Sequence, residues 1–247
     1  MKIVQLLKKE YWFFKNLFSH VSAKRFPESW DFQDYDQYWE QRINKNQTDI
    51  SYQNYLSILS NIITVNDKVL DIGCGTGELL KYFQGKISDK SLGIDISEVA
   101  IDYAKRNGIN AEIFNVFEED LRSLGSFDFI TCFEVIEHIQ NSEYLLLLLS
   151  KAFPDSHLIF SIPNTGFIFS RLRLVFGKFP LQWVIHPAEH IRFWTKKDMD
   201  STLERLGFNI ISFIPGTINS MFTKILPGLF AESLVYHITP KKVKKCQ

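Results

Sequence analysis

The chain has 247 residues and sets 28 Lys and Arg against 28 Asp and Glu, so it carries no formal net charge. An apolar fraction of 45% and a charged fraction of 23% fit a folded soluble protein, and neutrality argues against bulk nucleic acid as a partner. Three widely spaced cysteines, Cys74, Cys132 and Cys246, exclude a disulfide scaffold, and the longest apolar run, Tyr144 to Leu149, falls far short of a membrane span.

In chain order, residues 1–20 have the spacing of an amphipathic helix and no cleavage site, so no signal peptide is expected. Such a helix packs as a cap or lies on a membrane surface. The helical cap is expected to extend over 1–65. From Asp67 onward, short β-rich runs alternate with helical patterns. Strands are predicted at Lys68–Ile72, Ser91–Ile94, Glu112–Asn115, Phe127–Cys132 and His157–Ile162. Helices are predicted at Gly77–Phe83, Ser97–Asn107 and Asn141–Ala152, with Ser97 and Asn141 as N-caps. That alternation means βαβ units, a parallel sheet and right-handed crossovers. A further helix, Lys196–Leu206, precedes strands at Phe208–Ile214 and Glu232–Thr239, with Pro215 to Phe230 irregular between them. The cysteine usage points to a reducing, cytoplasmic setting, and the basic tail Lys241–Lys245 reads as a solvated end.

The most informative stretch runs Val69-Leu70-Asp71-Ile72-Gly73-Cys74-Gly75-Thr76-Gly77 into a helix. Three glycines between a strand and a helix allow a tight turn and close backbone approach to a ligand. No Lys-Ser or Lys-Thr follows, which excludes a P-loop, and Gly77 comes one residue early for the fingerprint that seats a pyrophosphate. Asp71 would place a carboxylate facing the loop, unfavourable beside a pyrophosphate and favourable beside a sulfonium or ammonium. Asp95 ends the second strand, where a carboxylate accepts from ribose hydroxyls, and Ile96 offers an apolar face to a base.

With these residues in hand, the sequence resembles the class I S-adenosylmethionine-dependent methyltransferases, and most closely the ubiquinone-biosynthesis-type O-methyltransferases. The resemblance rests on Val69–Leu80, Leu92–Asn107, Phe127–Ile139, Leu158–Asn164 and His190–Gly207. It implies a Rossmann-like α/β fold: a seven-stranded, mostly parallel sheet with the last strand antiparallel and helices on both faces. It implies S-adenosylmethionine as cofactor, with Asp71, Gly73, Gly75 and Gly77 holding the methionine end and Asp95 the ribose. Asn115, followed by Val116, stands where the family usually has an Asp that accepts from adenine; an amide makes that bond without charge assistance. Phe133 is similar to family positions that touch the cofactor. Tyr35–Arg42 resembles a segment ahead of the core, through which Tyr38 or Arg42 meets the cofactor carboxylate, or which simply packs as an aromatic helix.

Methyl transfer from a sulfonium needs alignment and exclusion of water, and needs a base only where the acceptor must lose a proton. Glu134, Glu137 and His138 fall on one face if that stretch is a helix turn. Three readings are open: Glu134 and His138 line the pocket with His138 as base, they are structural, or all three hold a divalent metal. His186-Pro187-Ala188-Glu189-His190 matches a zinc-protease pattern, but Pro187 and the loop context deny it the helix that pattern requires. In the resemblance, His190 can approach the acceptor.

The whole chain is read as one domain: the cap over 1–65, a cofactor-binding core over 66–163, a substrate lid over 164–195 and a C-terminal part over 196–247. The aromatic 164–195 segment can serve as a lid, a dimer face or a peripheral membrane contact. The expected acceptor is a small molecule or a carbohydrate or lipid-linked intermediate, methylated at oxygen or nitrogen. An NAD-type oxidoreductase and a catalytically silent cofactor-binding partner are the alternatives.

Overall fold

The computed structural model describes residues 34–44, 50–180, 190–216 and 221–242. Two helices, α1 (Tyr35–Asn44) and α2 (Ile50–Leu59), precede the sheet. Five strands follow: β1 (Val69–Ile72), β2 (Leu92–Asp95), β3 (Ala111–Ile113), β4 (Phe129–Cys132) and β5 (His157–Pro163). Between them run α3 (Glu78–Phe83), α4 (Glu98–Arg106) and α5 (Ser142–Ala152). Next come α6 (Ile168–Val175), α7 (Lys196–Arg205), β6 (Phe208–Pro215), the short α8 (Met221–Ile225) and α9 (Pro227–Phe230), and β7 (Ser233–Pro240).

All seven strands form one sheet in the order β3-β2-β1-β4-β5-β7-β6. β1 to β5 pair in parallel, and β7 is antiparallel to both β5 and β6. This is the sheet expected from the sequence.

The central strands are buried along their whole length because helices cover both faces. Alternation along β1 and β4 divides the core. Leu70, Ile72, Ile130 and Cys132 pack with Leu145 and Leu149 of α5 and with Leu203 of α7. Val69 and Phe129 point the other way, onto Leu79 of α3, Ile101 of α4 and Tyr55 of α2. Asp71 and Thr131 share that second face, so a carboxylate is carried into an apolar layer by strand parity alone.

The helix starts follow capping chemistry. Ser97 accepts from the Ala100 amide, Asn141 accepts from Tyr144, and Thr195 with Asp198 completes a capping box. Strand order reverses between β1 and β4, which opens a crevice at the carboxyl ends of the strands.

Two expectations are corrected. Pro215 to Phe230 is not simply irregular, because α8 and α9 lie within it, α9 opening on Pro227, whose fixed φ suits a first helical turn. Glu134 to His138 is not one helix face. Glu134 has a left-handed backbone with φ 54, and only Ile136–His138 forms a 3-10 turn, so the stretch has no helical repeat to align Glu134 with His138. The expected N-terminal helix, the His186–Glu189 stretch and the tail beyond Lys242 lie outside the described residues.

Candidate active site

A cavity of about 400 Å³ opens at the carboxyl ends of β1, β2, β3 and β4. Its floor comes from Ile72, Gly73, Ile94 and Asp95, and one wall from Phe114, Asn115, Val116 and Phe117. Glu134, Val135 and His138 close a second side, and Tyr35, Tyr38 and Trp39 of α1 form a third. Among the described residues no Lys or Arg lines it.

The loop after β1 is built by glycine geometry. Gly73, Gly75 and Gly77 all have left-handed φ, of 67, 51 and 78. A Cβ on Gly75 would sit 2.2 Å from the Trp39 ring, and one on Gly73 would sit 2.4 Å from Val135. The aromatic helix and the segment after β4 thus rest directly on bare backbone.

Asp95 is buried with one bond to each oxygen: Oδ2 accepts from the Gly75 amide and Oδ1 from the Ser97 amide, both at 2.9 Å. Burial raises its carboxyl pKa, with those backbone amides opposing the shift. Asp71 lies beneath the loop rather than on the cavity wall. Its Oδ1 accepts from the Thr131 hydroxyl at 2.7 Å, and Oδ2 has no hydrogen-bond partner among the described residues. Burial pushes the Asp71 carboxyl up to about 7, with Asp95 adding repulsion. Asp95 in the cavity, with Asp71 buried beneath the loop and no Lys or Arg in the described lining, favours a cationic ligand over phosphate.

The remaining expected residues fall into three groups. Ile96, Asn115 and Val116 line the cavity as the sequence reading required, and Ile96 is half exposed there. The Asn115 side-chain oxygen already accepts from the Phe117 amide at 3.1 Å, so one further lone pair is left to accept. Phe133 does not reach the cavity; it stacks on Tyr55 at 4.9 Å in the opposite apolar layer, because it continues the parity of Phe129 and Thr131. Gly77 serves as the N-cap of α3.

Glu134 is pinned. Its amide donates to Ser161 Oγ at 2.9 Å, and its Oε1 accepts from the same hydroxyl at 2.8 Å and from Tyr55 at 2.7 Å. A left-handed, non-glycine residue held by three bonds at a cavity wall is backbone strain sustained by its surroundings. His138 lines the cavity, and His190 sits edge-on behind it, ring centroids 4.7 Å apart. Ligand atoms of Glu137, His138 and His190 lie within 4.8 Å of one another. This is not the metal trio read from sequence, since Glu134 is turned toward Tyr55. Glu137 is fully buried, and burial followed by the neighbouring Glu134 raises its carboxyl.

His190 is placed by the chain that follows it. The Glu137 carbonyl accepts from the Ile191 and Arg192 amides, and the Arg192 guanidinium reaches the Gln140 carbonyl and Glu143. Residues 164–180 contribute nothing to the cavity wall. Leu174, Val175, Phe176 and Phe179 are instead exposed at the end of α6. Sequence reasoning did not single out Phe114, Phe117 or Val135, and gave Trp39 only as part of the Tyr35–Arg42 segment; their places depend on which loops meet over Gly73 and Gly75. The aromatic pair Tyr38-Trp39 was the one available signal.

Residues 38–213 match the family model described as a methyltransferase domain. The chain is 30% identical over 122 residues to the ubiquinone biosynthesis O-methyltransferase of Rickettsia felis, covering 47% of this chain and 50% of that one. It is 26% identical over 163 residues to the enzyme of the same name from Methylococcus capsulatus, covering 59% and 68%. The chain spans about half the length of the Rickettsia relative. Among solved structures, the fold resembles an S-adenosylmethionine-dependent methyltransferase from Archaeoglobus fulgidus, at TM-score 0.58 and 20% identity, covering 83% of this chain and 100% of that one. It also resembles magnesium protoporphyrin IX methyltransferase from Synechocystis with bound S-adenosylhomocysteine, at TM-score 0.52 and 15% identity, covering 96% and 100%. With the model matched over most of the sheet and its helices, this chain belongs to the methyltransferase domain family.

Proposed function

We propose that the protein transfers a methyl group from S-adenosylmethionine to an oxygen or nitrogen of a small-molecule, carbohydrate or lipid-linked acceptor. The observation that carries this reading is the pair of buried carboxylates, Asp71 and Asp95, beside a cavity without a cationic wall. The names of the curated relatives favour oxygen over nitrogen.

S-adenosylmethionine supplies an electrophilic methyl carbon on a sulfonium. The chain's own residues then have four tasks. Asp95 accepts from ribose hydroxyls through its remaining lone pairs. Gly73 at the cavity receives the cationic methionine end, with Gly75 and Gly77 shaping the loop and Asp71 buried beneath it. Ile96, Asn115 and Val116 flank the base. His138 takes the acceptor proton at the cavity wall, with His190 behind it and Glu134, held by Tyr55 and Ser161, beside it on the same wall. Calorimetry with S-adenosylmethionine and S-adenosylhomocysteine tests the reading, and an intact fold that binds neither overturns it. Within it, Asp95→Ala weakens cofactor binding while His190→Ala lowers turnover with cofactor affinity retained; equal loss of affinity in both contradicts the assignment.

A second reading has one specific support, the convergence of Glu137, His138 and His190. A divalent cation there would polarise the acceptor oxygen. Dialysis against a chelator then lowers the melting temperature and a divalent salt restores it; a chelator-insensitive protein rejects this reading. The exposed Leu174–Phe179 tip, with Lys178, supports peripheral membrane contact. Cosedimentation with anionic vesicles that survives Phe176→Ser and Phe179→Ser rejects that contact.

A further inference from the structure

Helix α1 supplies an entire wall of the cavity through Tyr35, Tyr38 and Trp39, yet it has only ten residues. A helix of that length does not hold its own position in water, so tertiary bonds must place it. One such set of bonds comes from Asp36 in its first turn. Asp36 Oδ1 accepts from the Ser97 hydroxyl at 2.6 Å and from the Val99 amide at 3.2 Å. Val99 belongs to the first turn of α4, whose amides have no partner inside the helix, and a carboxylate there also meets the positive end of the helix dipole. The Ser97 bond is the leading cause that holds the Asp36 carboxyl below its ordinary range.

Ser97 is a junction. Its amide donates to Asp95 Oδ1, its hydroxyl donates to Asp36, and its oxygen accepts from the Ala100 amide. Asp95 in turn binds the Gly75 amide, and the Trp39 ring of α1 rests on Gly75. The circuit therefore closes: Asp36 ties α1 to Ser97, Ser97 orients Asp95, Asp95 holds Gly75, and Gly75 receives Trp39 from α1.

We propose that Asp36 is a positioning residue for the cofactor pocket, locking the aromatic wall of α1 onto the glycine loop through Ser97. The proposal rests on the methyltransferase reading, because it is the cofactor that fills the locked pocket. Asp36 touches no ligand itself. Its effect falls on how long the ligand stays, since a wall that has lost its anchor opens more often.

The test uses the full chain, S-adenosylhomocysteine as the probe, calorimetry for affinity and stopped flow for dissociation. Asp36→Ala removes both bonds and is expected to bind about tenfold more weakly, mostly through faster dissociation. Asp36→Asn keeps an acceptor oxygen for Ser97 and Val99 and is expected to stay within about threefold of the unaltered protein. Ser97→Ala breaks the same link from the other side, and Asp36→Ala added to it is expected to cost less than in the unaltered background. An Asp36→Ala protein with unchanged affinity and dissociation overturns the proposal and leaves the methyltransferase reading intact. Equal losses in the Ala and Asn variants also overturn it, because charge and not the bond would then be what matters. If Asp36→Ala does not fold, the Asn and Ser97→Ala variants decide: a Ser97→Ala protein with unaltered affinity is the refuting result. Failure of the unaltered protein to bind the probe defeats the methyltransferase reading itself, and this proposal with it.

Discussion

Asp71→Asn separates the cost of a buried charge from everything else in the glycine loop. Asp71 lies at 2% exposure, bonded to Thr131 by one oxygen, with the other unpartnered among the described residues. Its carboxyl rises from 3.8 to about 7, first through burial. Between those values the folded protein keeps a proton that the unfolded chain has released, so the folded state binds more protons. Stability therefore falls as pH rises across that window, and the loss is complete above about 7. The displacement corresponds to about 4 kcal/mol, or a melting shift on the order of 10 °C for a chain of this size. Asparagine keeps the shape and the Thr131 bond but cannot ionise. Urea melts of the ligand-free proteins at pH 4.5, 6 and 8 should show the variant gaining on the unaltered protein as pH rises. Asp95 is raised in the same direction and repels Asp71, so the difference reports the burial of Asp71 together with the relief of that repulsion. A stability difference that stays constant from pH 4.5 to 8 would refute the reasoning, because it would mean that Asp71 is solvated or compensated in the folded state.

Gly75→Ala forces a side chain into left-handed backbone and into the Trp39 ring, so S-adenosylhomocysteine affinity should drop by about tenfold or more by calorimetry. Gly85→Ala, also left-handed but with open space around it, is the control: it should lose about 1–2 kcal/mol of stability and leave cofactor affinity unchanged. Tyr55→Phe keeps the ring stacked on Phe133 but removes the hydroxyl from Glu134, and should lose about 1–3 kcal/mol in urea melts. A Tyr55→Phe protein as stable as the original would mean that Ser161 alone satisfies the Glu134 carboxylate.

Much of the fold was legible because its signals are local. The strand–glycine–helix junction at Val69–Gly77, the N-caps at Ser97 and Asn141, and the β-rich runs at fixed spacing each express a preference of a few adjacent residues. Asp95 was legible for the same reason, being the last residue of a strand that precedes a capped helix. What escaped is long-range or parity-bound. Phe133 was placed at the cofactor by resemblance, yet strand alternation carries it, with Phe129, to the opposite layer. Glu134 and His138 looked like one helical face, but the left-handed backbone at Glu134 separates them and turns the carboxylate to a tyrosine 79 residues away.

The sequence by itself carried the local signals: a strand–glycine–helix junction, carboxylates at Asp71 and Asp95 and no phosphate-binding lysine are each legible in adjacent residues, and from them the ligand class was expected. Only the tertiary structure decided who completes the site. Packing over the carboxyl ends of the strands brings Trp39 onto Gly75, Val135 onto Gly73, His190 behind His138 and Asp36 onto Ser97. Those meetings depend on side-chain volume and strand order across the whole chain, and no short window of residues encodes them.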